Sequence, residues 1–158
     1  MVEAGLRGQR CTARDYQGII ALIGLGPGLT PSGDDLIGGA LVALASLSRL
    51  ATRDALWRSC RAHLDRTNEI SAAHLRSAAL GYAAAPLHEA IHATIAGQVD
   101  RIKPALAALS RIGHSSGLDA FAGALMVARA VRSRLHRDGA TRDSRPAANS
   151  QRRSIAGP

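Results

Sequence analysis

Aromatic side chains make up only 3% of this 158-residue chain: one Phe, one Trp and two Tyr. Apolar residues still reach 46%, and a chain of this length can form one domain with a real interior. That interior has to be built from Ala, Leu, Ile and Val. Small side chains let helix axes approach closely, so the composition favours packed helices. The apolar spacing agrees, being helical almost throughout. It predicts helices over Thr12–Leu22, Asp34–Leu50, Asp54–Arg66 and Glu69–Ala84. Further helices are expected from Pro86 to near Gly97, over Asp100–Arg111 and over Ser116–Arg137. Pro86 suits a first helical turn. Ile19–Leu25 (IIALIGL) is the one run that also reads as a short buried strand. The expected fold is all-α, a compact bundle of about six or seven helices, with a Gly-rich loop.

Several function classes drop out. Cys11 and Cys60 make neither a disulfide framework nor a zinc knuckle, and neither has an activating partner in the sequence. His88 and His92 stand four apart on one helical face, a zinc-ligand spacing, but no third ligand is in register. No CxxC or HExxH occurs. No apolar run is long enough to predict a membrane span, and Met1–Gly8 lacks the apolar core of a signal peptide. The expected setting is reducing and cytoplasmic.

The net charge of +8 invites a nucleic-acid reading. Its distribution weakens that reading. Residues 1–128 carry 12 basic and 10 acidic side chains, whereas residues 129–158 carry eight Arg and two Asp. From Asp138 the chain reads DGATRDSRPAANSQRRSIAGP, with one large apolar residue and no period. The expectation is a helical domain over 1–137 and a disordered, Arg-rich tail over 138–158. The tail lacks the aromatic side chains that stack on single strands, so nucleic-acid binding is not the favoured reading.

Two segments 84 residues apart resemble each other. Ser32–Leu44 reads SGDDLIGGALVAL and Ser116–Ala128 reads SGLDAFAGALMVA. Both begin Ser-Gly-x-Asp after a loop of small residues. One explanation is capping: Ser at N-cap and Asp at N3 form a variant of the capping box, and the acids favour the positive helix end. Gly39 and Gly123 lie one turn further in. A helical Gly costs about 1 kcal/mol against Ala, so two at the same offset suggest close backbone approach. That would pair the two helices with their N-termini side by side.

Capping leaves the first loop unexplained. GLGPGLTPSGDD holds Gly24, Gly26, Gly28 and Gly33 with two prolines. So much backbone control before a helix N-terminus suits an anion or small-substrate site. It is neither a Walker A loop nor a dinucleotide fingerprint in its strand-to-helix setting. The candidate binding residues are Gly26, Gly28, Thr30, Ser32, Gly33 and Asp35 in the first loop, and Ser115, Ser116 and Gly117 in the second. Asn68, in the polar stretch Thr67–Ser71, is a further candidate beside its capping role. Asp34 and Asp119 are candidate catalytic carboxylates. With Asp35 they also make Mg²⁺ a candidate ligand, shared with phosphate oxygens. His114, directly before Ser115-Ser116-Gly117, is the candidate acid or base.

In combination, GLGPGLTPSGDD, TNEISAAHLRSAALG and IGHSSGLDAFAGAL resemble a bacterial family long known as a domain of unknown function, which includes the AllH subunit of oxamate carbamoyltransferase. The resemblance spans about Tyr16 to Arg134. Members of that family usually carry a further region before the Gly-rich loop, so the chain is similar to the C-terminal part of such a protein, or to a shortened member. The resemblance implies a place in anaerobic allantoin breakdown. There a carbamoyl group moves between oxalurate and phosphate, giving oxamate and carbamoyl phosphate. It also implies FdrA-like and AllG-like partner subunits. The motif positions Gly26–Asp35 and His114–Asp119 are then the expected site, with Asp34 or Asp119 expected to orient an amide or hold a metal. Two other readings stay open: a non-catalytic assembly subunit, in which the glycines serve helix packing, and a nucleic-acid binder using the basic tail.

Overall fold

The computed structural model describes residues 13–143. They form seven α-helices: α1 (Ala13–Ile20), α2 (Ser32–Ser46), α3 (Leu50–Arg61), α4 (Glu69–Ala79), α5 (Ala85–Ala96), α6 (Val99–Leu109) and α7 (Ser116–Asp143). A 3₁₀ turn, Leu64–Arg66, joins α3 to α4. No strand occurs among the described residues, so the expected all-α bundle is what forms. Ile19–Leu25 is the end of α1 and a series of turns, with Leu22 N–H donating to Ile19 O and Leu25 N–H to Leu22 O.

α2 is the centre of the bundle. Apart from its two aspartates it is apolar or small all round, which marks a helix buried on every side. Ile37 and the whole run Gly39–Leu44 are buried. α7 packs on it most extensively, α4 covers a second side, and α3 and α5 complete the shell. The core is Ala, Leu, Ile and Val, with Phe121 the one aromatic fully inside it. With so few rings to fill space, the interior is closed by bringing backbones together.

Helix ends differ from the expected ones where backbone capping decides them. α2 stops at Ser46, short of Leu50, in a Schellman motif: Arg49 N–H donates to Leu44 O and Ser48 N–H to Ala45 O. Ser48 holds the left-handed position, φ +55°, usually taken by Gly. α4 stops at Ala79, short of Ala84, for the same reason. Gly81 adopts φ +91°, and Tyr82 N–H donates to Ser77 O. The segment expected as one helix over Asp54–Arg66 starts at Leu50 and is broken after Arg61. α7 runs past the expected boundary at Arg137 to Asp143, because extending a formed helix is far easier than nucleating one. Residues 144–158, the rest of the expected tail, lie outside the described residues, as does Cys11.

Candidate functional site

α2 and α7 lie with their N-termini side by side, as the repeat suggested. The reason is the glycine pair. A Cβ on Gly39 would stand far inside van der Waals contact of the Ala120 carbonyl, and one on Gly123 would do the same to the Leu36 carbonyl. These contacts are reciprocal: Leu36 and Gly39 correspond to Ala120 and Gly123 under the 84-residue offset. The loops repeat the relation. A Cβ on Gly33 would strike the Leu22 carbonyl, and one on Gly117 the Leu109 carbonyl. The helix pair therefore has an internal pseudo-two-fold arrangement, with each glycine required by a neighbouring backbone.

The capping box does not form. Ser32 is the first helical residue, with Pro31 at the N-cap and no side-chain cap. The N–H groups of Asp34 and Asp35 donate to Pro31 O, and those of Leu118 and Asp119 to Ser115 O. Gly33 N–H donates to Leu25 O and Gly117 N–H to Ile112 O. These first-turn donors, expected to face an anion, are thus engaged within the loops. The two adjacent aspartates of α2 consequently do different work.

Asp34 is a brace. It is 2% exposed, and its carboxylate accepts from Gly24 N–H (3.0 Å), Thr67 Oγ1 (2.5 Å) and Ser71 Oγ (2.7 Å). It ties the Gly-rich loop and the start of α4 to α2. Gly24 reaches it at φ +74°, where a Cβ would hit the Arg66 carbonyl. The expected role of Asp34 in orienting an amide or holding Mg²⁺ meets a carboxylate already engaged by three donors.

Asp35 faces the other way. It is bonded to the Ser116 and Thr30 hydroxyls, which are themselves 2.7 Å apart. Its Oδ2 and that of Asp119 are shielded from solvent and have no hydrogen-bond partner among the described residues. Burial pushes the Asp35 carboxyl above its ordinary range, and the Asp119 charge adds to this. The Ser116 and Thr30 bonds and the nearby His74 pull it the other way. A raised carboxyl holds a proton at higher pH than a surface acid does, the property a general acid needs.

Thr30, Asp34, Asp35, Ser116 and Gly117 line one cavity of about 290 Å³. The structure thus brings the two repeat heads to one place. Other expected residues lie around it. Gly26 turns the loop, Gly28 is exposed, and Ser32, Ser115 and Asp119 are half-buried and do not line the cavity. His114 is exposed in the loop before α7 and does not line the cavity. Asn68 is the N-cap of α4, its side chain accepting from Ser71 N–H at 3.0 Å. His74 and Tyr82, by contrast, line the cavity without having been singled out. His74 falls on the α4 stripe Ser71-His74-Leu75-Ala78, spaced i, i+3, i+4, i+7, whereas Tyr82 lies beyond the end of α4.

Among the described residues no group of three or more His, Cys, Asp or Glu side chains converges. His88 and His92 neighbour each other, ring centroids 6.4 Å apart. Cys60 is buried, and burial followed by the charge of Asp34 pushes its thiol up to about 12, leaving it inert. Among the described residues no helix is long and apolar enough to cross a membrane.

These features define a class: an all-helical domain in which two parallel helices, locked by reciprocal glycines, bring paired Ser-Gly-x-Asp heads together, one of them lining a cavity with its acid. The family model described as oxamate carbamoyltransferase subunit AllH matches residues 22–128, a span that takes in both heads and the α4 stripe between them. The chain belongs to that family. No solved structure matches it.

Proposed function

We propose that the chain works as an AllH-like subunit of an oxamate carbamoyltransferase-type assembly, and that its cavity at the paired N-termini of α2 and α7 takes a small anion: phosphate, carbamoyl phosphate or oxalurate. The observation that carries this reading is the cluster of Thr30, Ser116 and Asp35 in one cavity wall, with an acceptor oxygen of Asp35 left without a partner. A carbamoyl group presents both a carbonyl acceptor and an NH₂ donor. The hydroxyls of Thr30 and Ser116 suit the first, and Asp35 suits the second.

In the transfer, a phosphate oxygen bonds to the carbamoyl carbon of oxalurate. The bond from that carbon to the oxamate nitrogen breaks, and the nitrogen leaves with a proton. Asp35, whose carboxyl is shifted by burial towards the protonated form, is the group proposed to give that proton. The positive ends of α2 and α7 offset charge on the tetrahedral oxygen. Asp119 helps to keep Asp35 protonated. His114, exposed beside Ser115, exchanges protons with solvent. FdrA-like and AllG-like subunits complete the assembly. A second reading, a non-catalytic assembly subunit, is favoured by one observation: no Arg or Lys lines the cavity.

Calorimetric titration of the full chain with phosphate, carbamoyl phosphate and oxalurate separates the two. Thr30→Val combined with Ser116→Ala is expected to weaken binding at least tenfold while helix content by circular dichroism is unchanged. Unaltered binding in that variant, or no binding by the parent chain, would overturn the substrate-site reading in favour of assembly.

A further inference from the structure

The cavity has an axis. α2 presents Asp35, Gly38, Gly39 and Val42 to it, and α4 presents Ser71, His74, Leu75 and Ala78. Both sets are spaced i, i+3, i+4, i+7, one helical stripe each. The two helices run parallel here. Ser71 bonds to Asp34 at their N-terminal ends, and one to two turns on, the Ala78 methyl lies 3.7 Å from where a Gly38 Cβ would be. Polar groups therefore collect at one end and apolar groups at the other, separated by seven residues, about 10 Å of helix. Leu109 and Ile112 lie beside Gly117 at the other end, while the apolar end is lined by Val42, Leu75 and Leu87, all in the buried core. Its outer edge is Tyr82, 70% exposed.

Phosphate, carbamoyl phosphate and oxalurate are polar at every edge. Set against Val42 and Leu75, such edges lose water and gain no hydrogen bond. They match the polar end alone. We infer that the cavity takes a carboxamide- or ureido-bearing compound with an aliphatic tail, its amide at Asp35 and Ser116 and its tail between α2, α4 and α5 towards Leu87. The amide NH₂ donates to the Asp35 carboxyl, and the amide carbonyl accepts from the Ser116 or Thr30 hydroxyl. The tail gains contact with a wall that is already dry. This inference rests on the cavity being the ligand site and names the class of compound it holds. The absence of a side chain at Gly38 is what leaves the passage between the two ends open, whereas the space at Gly39 is taken by the Ala120 carbonyl.

Primary aliphatic amides from acetamide to hexanamide are the probe, titrated into the full chain by NMR with carbamoyl phosphate run in parallel. Affinity is expected to rise about fourfold for each added methylene. Ala78→Leu fills the apolar end and should flatten that rise while leaving acetamide binding within twofold. Gly38→Ala is the milder second variant. Its new methyl has ordinary contact distance to Ala78, so it folds, and it should reduce the gain for hexanamide more than for acetamide. A rise with chain length that both variants blunt supports the inference, whether or not carbamoyl phosphate binds. No dependence on chain length beside normal carbamoyl phosphate binding overturns it and leaves the small-anion site standing. No binding of any amide or of carbamoyl phosphate overturns both.

Discussion

Asp34 and Asp35 are neighbours with opposite fates. Asp34 is buried and saturated by three donors, so its removal strands Gly24 N–H and two hydroxyls. Asp34→Ala should destabilise the fold by about 3 kcal/mol, read from urea denaturation. Asp35 titrates the other way from a paired carboxylate. Its folded-state pKa is raised, so the protonated form favours folding. That contribution is complete below the ordinary carboxyl value of 3.8 and is lost as pH rises through the raised value. Asp35→Asn should therefore raise the Tm at pH 7 and leave it little changed near pH 3, with the parent losing stability between the two. A parent curve that climbs across this window would contradict the assignment. The sequence assigned them different roles, Asp34 as a catalytic carboxylate and Asp35 as a capping and binding residue, but not their different surroundings. Both sit in SGDDL, and which one faces Ser71 and which faces Ser116 depends on helix rotation and on a cap at Pro31 rather than Ser32. Spacing marks a helix face, but it does not say which neighbour covers that face.

Among the elements, the α2–α7 pair was the most legible. Gly39 and Gly123 at the same offset pointed to close approach because a glycine inside an apolar helix weakens it unless packing uses the space. The helix ends were less legible. Gly81 and Ser48 end α4 and α2 through backbone bonds that no apolar period reveals. Replacing either interhelical glycine tests the packing directly. Gly39→Ala and Gly123→Ala should each cost about 3 kcal/mol or more, because the obstacle is a carbonyl held in a helix and not a side chain that can rotate. The double variant should lose less than the sum, since one separation of the helices relieves both clashes. Thermal melts of the three variants measure this. Gly28, exposed with nothing within 4 Å, serves as the neutral control when replaced by Asn, which tolerates positive φ.

Across the whole molecule, the pairing ties the first third of the chain to the last. α2 supplies much of the core, and α7 is its principal cover. A chain ending before Ser116 should lose its cooperative melt altogether, rather than leaving α1–α6 as a smaller folded unit. Retained cooperativity would show that the two halves fold separately. The all-α class and the convergence of the two heads were readable in advance, because both rest on patterns repeated along the sequence. The polar-to-apolar axis of the cavity was not. It arises where α4 settles beside α2, and His74 and Tyr82 carry no local mark of it.

The reciprocal glycine contact also has a bearing on synthesis. The ribosome delivers α2 long before its cover: Ser32 and Ser116 are separated by 84 residues, on the order of ten seconds of elongation. Throughout that interval the most apolar helix of the protein has nothing to pack its glycine face against. It cannot substitute α4 or α5, whose surfaces do not interlock with a bare backbone. The nascent chain is therefore most exposed to aggregation and to chaperone capture between the emergence of α2 and that of α7. Slowing translation anywhere between Ala51 and Ser115 should lengthen that window, whereas slowing it after α7 has emerged should not.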